Sequence, residues 1–227
     1  MATSTSSFKD AERKQLSMLA SAEKSALVWM ARRMPAWVNS DHLTLVGCLS
    51  MCSAGVFYWV ASWDRRALLA VIAALVLNWF GDSLDGTLAR VRNRLRPRYG
   101  FYVDHVTDAI GTIFLMGGLA LSGCMSPAIA VGLLIAFLLL SIEVYLATYT
   151  IGKFHLSFWS FGPTELRLLL CIGNLALYIR GPMARLFGHQ FLLFDIGGVI
   201  GLIGMTSMFI WSAVRHTRML YEEERLP

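Results

Sequence analysis

Two neighbouring stretches, Asn78-Trp-Phe-Gly-Asp-Ser-Leu-Asp-Gly-Thr-Leu-Ala-Arg90 and Gly100-Phe-Tyr-Val-Asp104-His-Val-Thr-Asp108, carry the strongest structural information in this sequence. They place four aspartates inside or against segments that are otherwise apolar enough to span a membrane: Asp82, Asp85, Asp104 and Asp108. A charged Asp at the centre of a membrane helix costs about 2.5 to 3.5 kcal/mol, so four would cost on the order of 10 kcal/mol. The fold must offset this charge with cations, a water-filled cavity or both.

The bulk composition is that of an integral membrane protein. Of the 227 residues, 56% are hydrophobic and 15% are charged, and the mean hydropathy is +0.56. The net charge of +5 comes from basic residues that flank the apolar runs, so contact with anionic lipid explains it better than nucleic-acid binding does. The four scattered cysteines are predicted to pack as apolar residues, and no cleavable signal peptide is expected.

The apolar runs predict an all-α bundle of six transmembrane helices preceded by an amphipathic helix. Residues 1–34 are expected to form a disordered start and a basic amphipathic helix in the membrane interface. Residues 35–215 are expected to form the membrane domain and residues 216–227 a cytoplasmic tail. Judged by length and apolar content, the spans are predicted at about His42–Ser62, Ala67–Leu88, Phe101–Leu121, Pro127–Tyr149, Pro163–Ile179 and Phe191–Val214.

Positive charge is distributed unequally between the two sides of this predicted membrane domain. The side that carries both termini and the aspartates has 16 Lys or Arg residues, and the other side has four. Because cytoplasmic loops carry the excess of positive charge, we expect the termini and the aspartate cluster to face the cytoplasm. The connection between the second and third spans is the most basic, and its Pro97 is expected to stop the preceding helix.

Each pair of aspartates shares one face of its predicted helix. Asp82 and Asp85 are three residues apart, and Asp104 and Asp108 are four apart, so the side chains within each pair are neighbours. The short connection makes the second and third spans antiparallel neighbours, which lets the two pairs face each other. Four converging carboxylates fit a two-metal site, and ligation by oxygen alone favours Mg²⁺ or Mn²⁺.

The residues that follow Asp85 indicate a phosphate-bearing ligand. Gly86 and Ala89 leave room for a bulky group near the backbone, and Arg90, one turn after Gly86, can reach a bound phosphate. Ion pairing of the aspartates with nearby arginines on a solvated helix end is the structural alternative. A divalent-cation transporter could also use four carboxylates, although it would not require these small residues. An intramembrane prenyltransferase would instead carry two separate aspartate-rich motifs on distant helices.

The pattern Asp82-x-x-Asp85-Gly86-x-x-Ala89-Arg90, nine residues, then Gly100-x-x-x-Asp104-x-x-x-Asp108 resembles the signature of the CDP-alcohol phosphotransferase family. The resemblance implies a homodimeric enzyme of phospholipid synthesis that transfers a substituted phosphate group from a CDP-linked donor to an alcohol and releases CMP. It implies two divalent cations, Mg²⁺ or Mn²⁺, held by the four aspartates, with Asp108 as the candidate general base. The implied CDP site is lined by Gly86, Ala89, Arg90 and Gly100.

The start of the first predicted span departs from the family pattern. Many members carry Pro-Asn-x-aliphatic-Thr there, whereas this chain has Asn39-Ser-Asp-His-Leu-Thr44. Asp41 therefore stands where the family often has an amide. Thr44 remains a candidate nucleotide-binding residue, and Asn39 is expected to cap the helix.

The signature is shared by enzymes that use CDP-diacylglycerol with a polar alcohol and by enzymes that use a CDP-choline or CDP-ethanolamine type of donor with diacylglycerol. The six-span layout and chain size favour CDP-diacylglycerol. Candidate acceptor-pocket residues lie around the cytoplasmic ends of the fourth and fifth spans. Lys153 and Arg167 would suit a phosphorylated alcohol, whereas Trp159 and Glu165 would suit an amino or quaternary ammonium alcohol. Alternatively, Glu165 is simply a first-turn residue favoured by the helix dipole.

Three other polar or small-residue features have simpler interpretations. Asn78, one turn before Asp82, is a candidate to support the metal site, and Asp195 is expected near the opposite membrane face. Four glycines of the last span are predicted to allow close helix packing: Gly197, Gly198, Gly201 and Gly204.

Overall fold

The computed structural model describes residues 20–151, 163–186 and 188–225, which form seven helices and one short hairpin. The helices are α1 Ala20–Arg33, α2 Ser40–Val60, α3 Ala67–Val91, α4 Pro97–Leu121, α5 Pro127–Ile151, α6 Pro163–Arg180 and α7 Leu193–Glu223. The antiparallel strands β1 Met183–Leu186 and β2 His189–Leu192 connect α6 to α7. The described residues therefore bear out the helical expectation apart from this hairpin.

Close backbone crossings hold α2 against both α3 and α4. Gly47 on α2 and Gly81 on α3 are so close that a Cβ added to Gly81 would clash with the Gly47 backbone. Further along α2, a Cβ added to Gly118 of α4 would overlap the carbonyl group of Gly55. These crossings hold α3 and α4 against α2 at short interaxial distances, because no side chain separates the backbones. The α2–α3–α4 unit is the framework on which the aspartates are mounted.

Two apolar clusters fill the remainder of the bundle. The larger one contains the fully buried Tyr58 of α2 and Leu177 of α6, and Phe194 of α7 packs against the Tyr58 ring. The smaller one joins the buried residues Leu27 and Ala31 of α1 to the α3 residues Leu84 and Leu88. Helix α1 is thus packed on α3 beside the aspartate motif.

Several boundaries differ from the sequence expectation for identifiable reasons. Pro97 does not stop the second span; Asn93 takes a left-handed conformation with φ 53° after α3, and Pro97 is the first residue of α4, where its missing N–H costs nothing. Phe191 does not begin the last span but lies in β2. Helix α7 continues past Val214 to Glu223, because residues 215–223 contain neither Gly nor Pro.

Within the described residues, four helices are long and apolar enough to cross a membrane, namely α2, α3, α5 and α7. Helix α7, at 31 residues, extends about 46 Å at 1.5 Å per residue, which exceeds a hydrocarbon core of about 30 Å. Among the six predicted spans, α4 and α6 do not meet the same test, and they carry the charged residues Asp104, Asp108, Glu165 and Arg167. The part of the predicted amphipathic helix before Ala20 lies outside the described residues.

Candidate active site

The four aspartates of the motif line one small cavity between α2, α3 and α4. The cavity volume is about 20 Å³, enough for at least one water molecule. Asp82 and Asp85 reach it from α3, and Asp104 and Asp108 reach it from α4, as the helical spacing predicts. Backbone and side chains of α2 close its third side, with Thr44, Gly47, Cys48 and Met51 in the lining.

Three of the four carboxylates are close enough to share a metal ion. Ligand oxygens of Asp82, Asp104 and Asp108 lie within 4.8 Å of one another. A donor set made only of carboxylate oxygens is the kind that hard divalent cations such as Mg²⁺ and Mn²⁺ prefer, so the residues present fit such an ion. Asp108 is the most exposed of the three, which leaves one side of the cluster accessible.

Asp85 faces the same cavity but is held by the start of α2. The Thr44 hydroxyl donates to Asp85 Oδ2 at 2.7 Å, and the Ser40 hydroxyl donates to the backbone carbonyl of Asp85 at 3.0 Å. The first turn of α2 thereby fixes both the side chain and the backbone at this position. Thr44 was identified from the sequence, whereas Ser40 was not, because a serine at a helix start is usually interpreted as a cap.

Asn39, and not Ser40, caps α2. The Asn39 side chain accepts from the backbone N–H of His42, and the His42 ring accepts from the backbone N–H of Asn39, which completes a capping box. The predicted capping role of Asn39 is thus confirmed. Asp41, which replaces the amide common in the family pattern, forms an ion pair with Arg96 and does not line the cavity.

Arg167 connects α6 directly to the aspartate cluster. Its Nη2 donates to Asp82 Oδ2 at 2.5 Å, and its Nε donates to Asn78 Oδ1 at 2.8 Å. Asn78 in turn donates through Nδ2 to the Gly47 carbonyl at 2.9 Å. The two side chains of the ion pair are 12% and 27% exposed, so the bond is formed away from bulk water and is stronger than a surface pair. Arg167 is brought to the aspartate cluster itself, and Asn78 supports it.

The predicted nucleotide surface is open. A Cβ on Gly86 would meet only the Arg90 guanidinium, at 3.4 Å, and a Cβ on Gly100 would meet nothing within 4 Å. The Arg90 side chain folds back along its own helix, with Nε donating to the Gly86 carbonyl at 3.0 Å. Ala89 is partly buried on the same stretch. The backbone near Asp85 is therefore accessible to a bulky ligand, as the small residues predict.

Helix α1 reaches the site through Glu23, a residue that the sequence analysis did not single out. Glu23 Oε1 accepts from Trp79 Nε1 of α3 at 2.8 Å and from the Thr164 hydroxyl of α6, also at 2.8 Å. Thr164 stands in the first turn of α6, one turn before Arg167. Glu23 therefore ties the start of α6 to α3 at the level of the cluster. A lone glutamate on a basic amphipathic helix gave no signal for this role.

The other predicted acceptor-pocket residues are only partly described. Glu165 lies in the first turn of α6 and is partly buried, with its Oε1 atom inaccessible to water. Lys153 and Trp159 lie outside the described residues. An aromatic group lies between α4 and α5, where the His105 ring is 4.1 Å from the Phe101 ring and 4.7 Å from the Tyr145 ring between centroids. The rings of Phe101 and His105 were not identified from the sequence.

Two further polar pairs hold α7. Glu143 of α5 is buried and contacts His216 Nδ1 at 2.6 Å. At the other end of α5, Asp195 accepts from the backbone N–H of Ser126 at 2.7 Å and from its hydroxyl. As expected, Asp195 does not line the aspartate cavity. Gly198 packs against Ile129 of α5, which confirms the predicted packing role for one of the four α7 glycines.

Comparison with known proteins places this geometry in a family. A family model described as CDP-alcohol phosphatidyltransferase matches residues 37–214, which include every element from α2 to the main part of α7. The chain belongs to the CDP-alcohol phosphatidyltransferase family. This match confirms the resemblance that the aspartate signature indicated. The family is a family of transferases, as the sequence predicted. A membrane-associated family and four long apolar helices together identify an integral membrane protein.

A curated relative in this family is Cholinephosphotransferase 1 of Gallus gallus. The chain is 31% identical to it over 97 residues, which make up 40% of this chain. The match covers only 28% of the relative's own length.

Proposed function

We propose that this chain transfers a substituted phosphate group from a CDP-linked donor to the hydroxyl of an alcohol, with release of CMP, in phospholipid synthesis. The observation that carries the proposal is the approach of the Asp82, Asp104 and Asp108 carboxylates to within 4.8 Å of one another. Mutual repulsion makes such a cluster unfavourable in an apolar bundle unless cations neutralise it. Family membership supports the reaction class.

The proposed site holds two divalent cations, Mg²⁺ or Mn²⁺, through Asp82, Asp85, Asp104 and Asp108. When bound, these ions neutralise the charge of the donor diphosphate and of the transferred group. The Thr44 hydroxyl orients Asp85, and Arg167 and Asn78 orient Asp82, so the carboxylates are fixed before substrate arrives. The open backbone at Gly86, together with Ala89, Arg90, Gly100 and Thr44, forms the proposed nucleotide surface.

Asp108 is the proposed general base. Its carboxylate belongs to the cluster yet is exposed, so an acceptor hydroxyl can approach it from solvent or from the membrane surface. The hydroxyl proton passes to a carboxylate oxygen of Asp108 as the hydroxyl oxygen bonds to phosphorus. The bond between that phosphorus and the bridging oxygen of CMP breaks, and CMP leaves with the electron pair.

For the donor we propose CDP-diacylglycerol, so that a phosphatidyl group is transferred to a polar alcohol. Arg167 at the cluster supports a phosphorylated or otherwise polar acceptor. A second candidate is the transfer of a phospho-headgroup from a soluble CDP-alcohol to diacylglycerol. The activity in the name of the chicken relative favours this candidate, and the two proteins match over 97 residues. Glu165 and Trp159 are the proposed contacts for an amino or quaternary ammonium group, and Lys153 for a phosphate.

For the membrane arrangement we propose six spans, with α4 and α6 crossing beside the four apolar helices. Helix α6 is 18 residues long, about 27 Å, close to the thickness of the hydrocarbon core. In this arrangement residues 35–215 are the membrane domain, α1 lies in the interface, and both termini and the active site face the cytoplasm. A Cβ added to Gly197 or Gly204 on α7 would meet no other described part of the chain within 4 Å, so this face of α7 is open to a second copy, which supports a homodimer with close helix contact.

The function is tested by a matched pair of assays on purified protein. CMP release is measured with CDP-diacylglycerol and one candidate alcohol at a time, and separately with CDP-choline and diacylglycerol, each with Mg²⁺, Mn²⁺ or EDTA. We expect metal-dependent CMP release with one donor class and its loss in Asp104→Asn and in Asp108→Asn. Asp195→Asn is the control, because this aspartate lies away from the cavity. Full activity of either cluster variant, or divalent-cation uptake without CMP release, would overturn the proposal.

A further inference from the structure

A second crevice lies on the α1 side of α3 and shares no lining residue with the aspartate cavity. Its volume is about 450 Å³, within the range of small-molecule sites. The end of α1, the linker to α2 and the connection after α3 form its walls. The lining residues used below are Ala31, Arg32, Met34, Val91, Arg92 and Arg94.

Arg92 makes this crevice a fixed feature of the fold. Its Nη2 donates to the carbonyls of Met34 at 3.0 Å and Pro35 at 2.9 Å, and its Nη1 donates to the carbonyl of Val38. One guanidinium thereby fastens the whole α1–α2 linker to the end of α3. Because its donors are engaged by these carbonyls, Arg92 shapes the crevice, and the charge for a ligand comes from other residues.

Two arginines supply that charge. Arg32 and Arg94 are exposed, and neither forms an ion pair in the part of the chain that the structure describes. Between them the floor is apolar, with Ala31 only 2% exposed and Met34 and Val91 beside it. Two unpaired guanidinium groups over an apolar floor suit an amphiphile whose head is anionic.

The position of the crevice also suits a lipid headgroup. Trp29 of α1 and Trp37 of the linker are 57% and 76% exposed, and tryptophans of this kind concentrate at the headgroup level of membranes. The crevice lies where the spanning helix α3 ends, at Val91. Basic side chains at this level attract anionic lipids.

We propose that the Arg32–Arg94 crevice binds the phosphate headgroup of an anionic phospholipid as a site separate from the aspartate cluster. The phosphate lies between the two guanidinium groups, and the start of the acyl region lies along Ala31, Met34 and Val91. The bound lipid links α1 to the α3–α4 connection, so it stabilises the docking of α1 beside the aspartate motif.

Binding is tested by thermal unfolding of the full chain in detergent, titrated with phosphatidylglycerol, with phosphatidylcholine of the same acyl chains, and with glycerol 3-phosphate. We expect phosphatidylglycerol to raise Tm at a mole fraction at least fivefold lower than phosphatidylcholine. Glycerol 3-phosphate at the same total concentration should leave Tm unchanged. In Arg32→Gln/Arg94→Gln the half-saturating amount of phosphatidylglycerol should rise at least fivefold, and in Arg32→Lys/Arg94→Lys by less than threefold.

The matched control is Arg33→Gln/Arg98→Gln, which removes the same charge from the neighbouring surface. Arg33 stacks on the Trp29 ring at 4.1 Å, and neither residue lines the crevice. The control should bind phosphatidylglycerol as the wild type does. Equal loss in the control would show general surface attraction, and a Tm rise with glycerol 3-phosphate would show a free-phosphate site. Either result, or unchanged binding in the glutamine double variant, would overturn the proposal; if the double variant fails to fold, the single variants Arg32→Gln and Arg94→Gln are compared with the control, and unchanged binding in both would overturn the proposal.

Discussion

The two halves of this bundle are held together in different ways. In the α2–α3–α4 half, backbones touch at Gly47–Gly81 and at Gly55–Gly118, so helix positions are set at close to atomic precision. In the α5–α6–α7 half, individual polar side chains make the characteristic links, such as Arg167 to Asp82 and Glu143 to His216. The first half carries the aspartates of the proposed reaction site, whereas the second carries the candidate acceptor residues Glu165 and Arg167. In this interpretation, the rigid half supports the phosphate transfer that all family members are proposed to share. The other half can differ between members and so select the acceptor alcohol.

The strongest way to break this distinction is to add one methyl group at a backbone crossing. Gly118→Ala places a Cβ on the carbonyl of Gly55, and we expect a loss of about 3 kcal/mol or more in unfolding free energy because backbone cannot move aside. Gly117→Ala adds the same methyl group one residue earlier, where nothing lies within 4 Å, and should be neutral or stabilising by up to about 1 kcal/mol. Thermal unfolding in detergent measures both. Equal Tm values would contradict the proposed rigid framework.

Arg167 of α6 links the α5–α6–α7 half to Asp82 in the rigid α2–α3–α4 half. Arg167→Gln removes the cation that holds Asp82 and leaves that carboxylate among two others. We expect kcat/KM to fall about 100-fold, or about 2.7 kcal/mol, while Tm falls modestly. Arg180→Gln, at the opposite end of α6, should keep full activity. An unchanged kcat/KM in Arg167→Gln would show that α6 does not contribute to the cluster.

The contacts within the α2–α3–α4 half could be predicted from the sequence better than the contacts made by the other helices. The convergence of Asp82, Asp85, Asp104 and Asp108 followed from helical spacing, because spacing within one helix fixes which side chains share a face. The links of Arg167 to Asp82 and of Glu23 to Thr164 join residues 85 and 141 positions apart. Such contacts depend on how each helix is rotated about its own axis relative to a distant helix. The periodic pattern of a single sequence does not indicate this rotation.

The ends of some helices were also predicted wrongly, because the local signals that start and stop helices are ambiguous. Pro97 was interpreted as a stop, although a proline is equally suited to the first turn of the next helix. The actual stop is Asn93 in a left-handed conformation. The hairpin that contains Phe191 was missed because its strands have only four residues each and the last two residues of β2, Phe191 and Leu192, run directly into the apolar start of α7.

Thr44 tests the precision that the rigid half gives to one carboxylate. Thr44→Val keeps the shape but removes the hydroxyl that donates to Asp85 at 2.7 Å. We expect kcat/KM to fall about tenfold, or about 1.4 kcal/mol, with little change in Tm. The matched control is Thr87→Val on α3, whose hydroxyl bonds only to the carbonyl of Ser83 in its own helix. A similar loss in both variants would assign the effect to general packing.

The smallest expected effect on stability is at the Glu143–His216 pair, which joins α5 to α7 in the α5–α6–α7 half. Glu143→Gln keeps a hydrogen-bonding group opposite His216 but removes the buried charge, so we expect a stability change of about 1 kcal/mol and unchanged kcat/KM. Glu222→Gln, on the exposed end of α7, controls for the lost charge and should leave Tm unaltered. A fall in kcat/KM for Glu143→Gln larger than that of Thr44→Val would mean that α7 positions the reacting groups as firmly as α2 does. The proposed distinction between a rigid half and an adaptable half would then be wrong for α7.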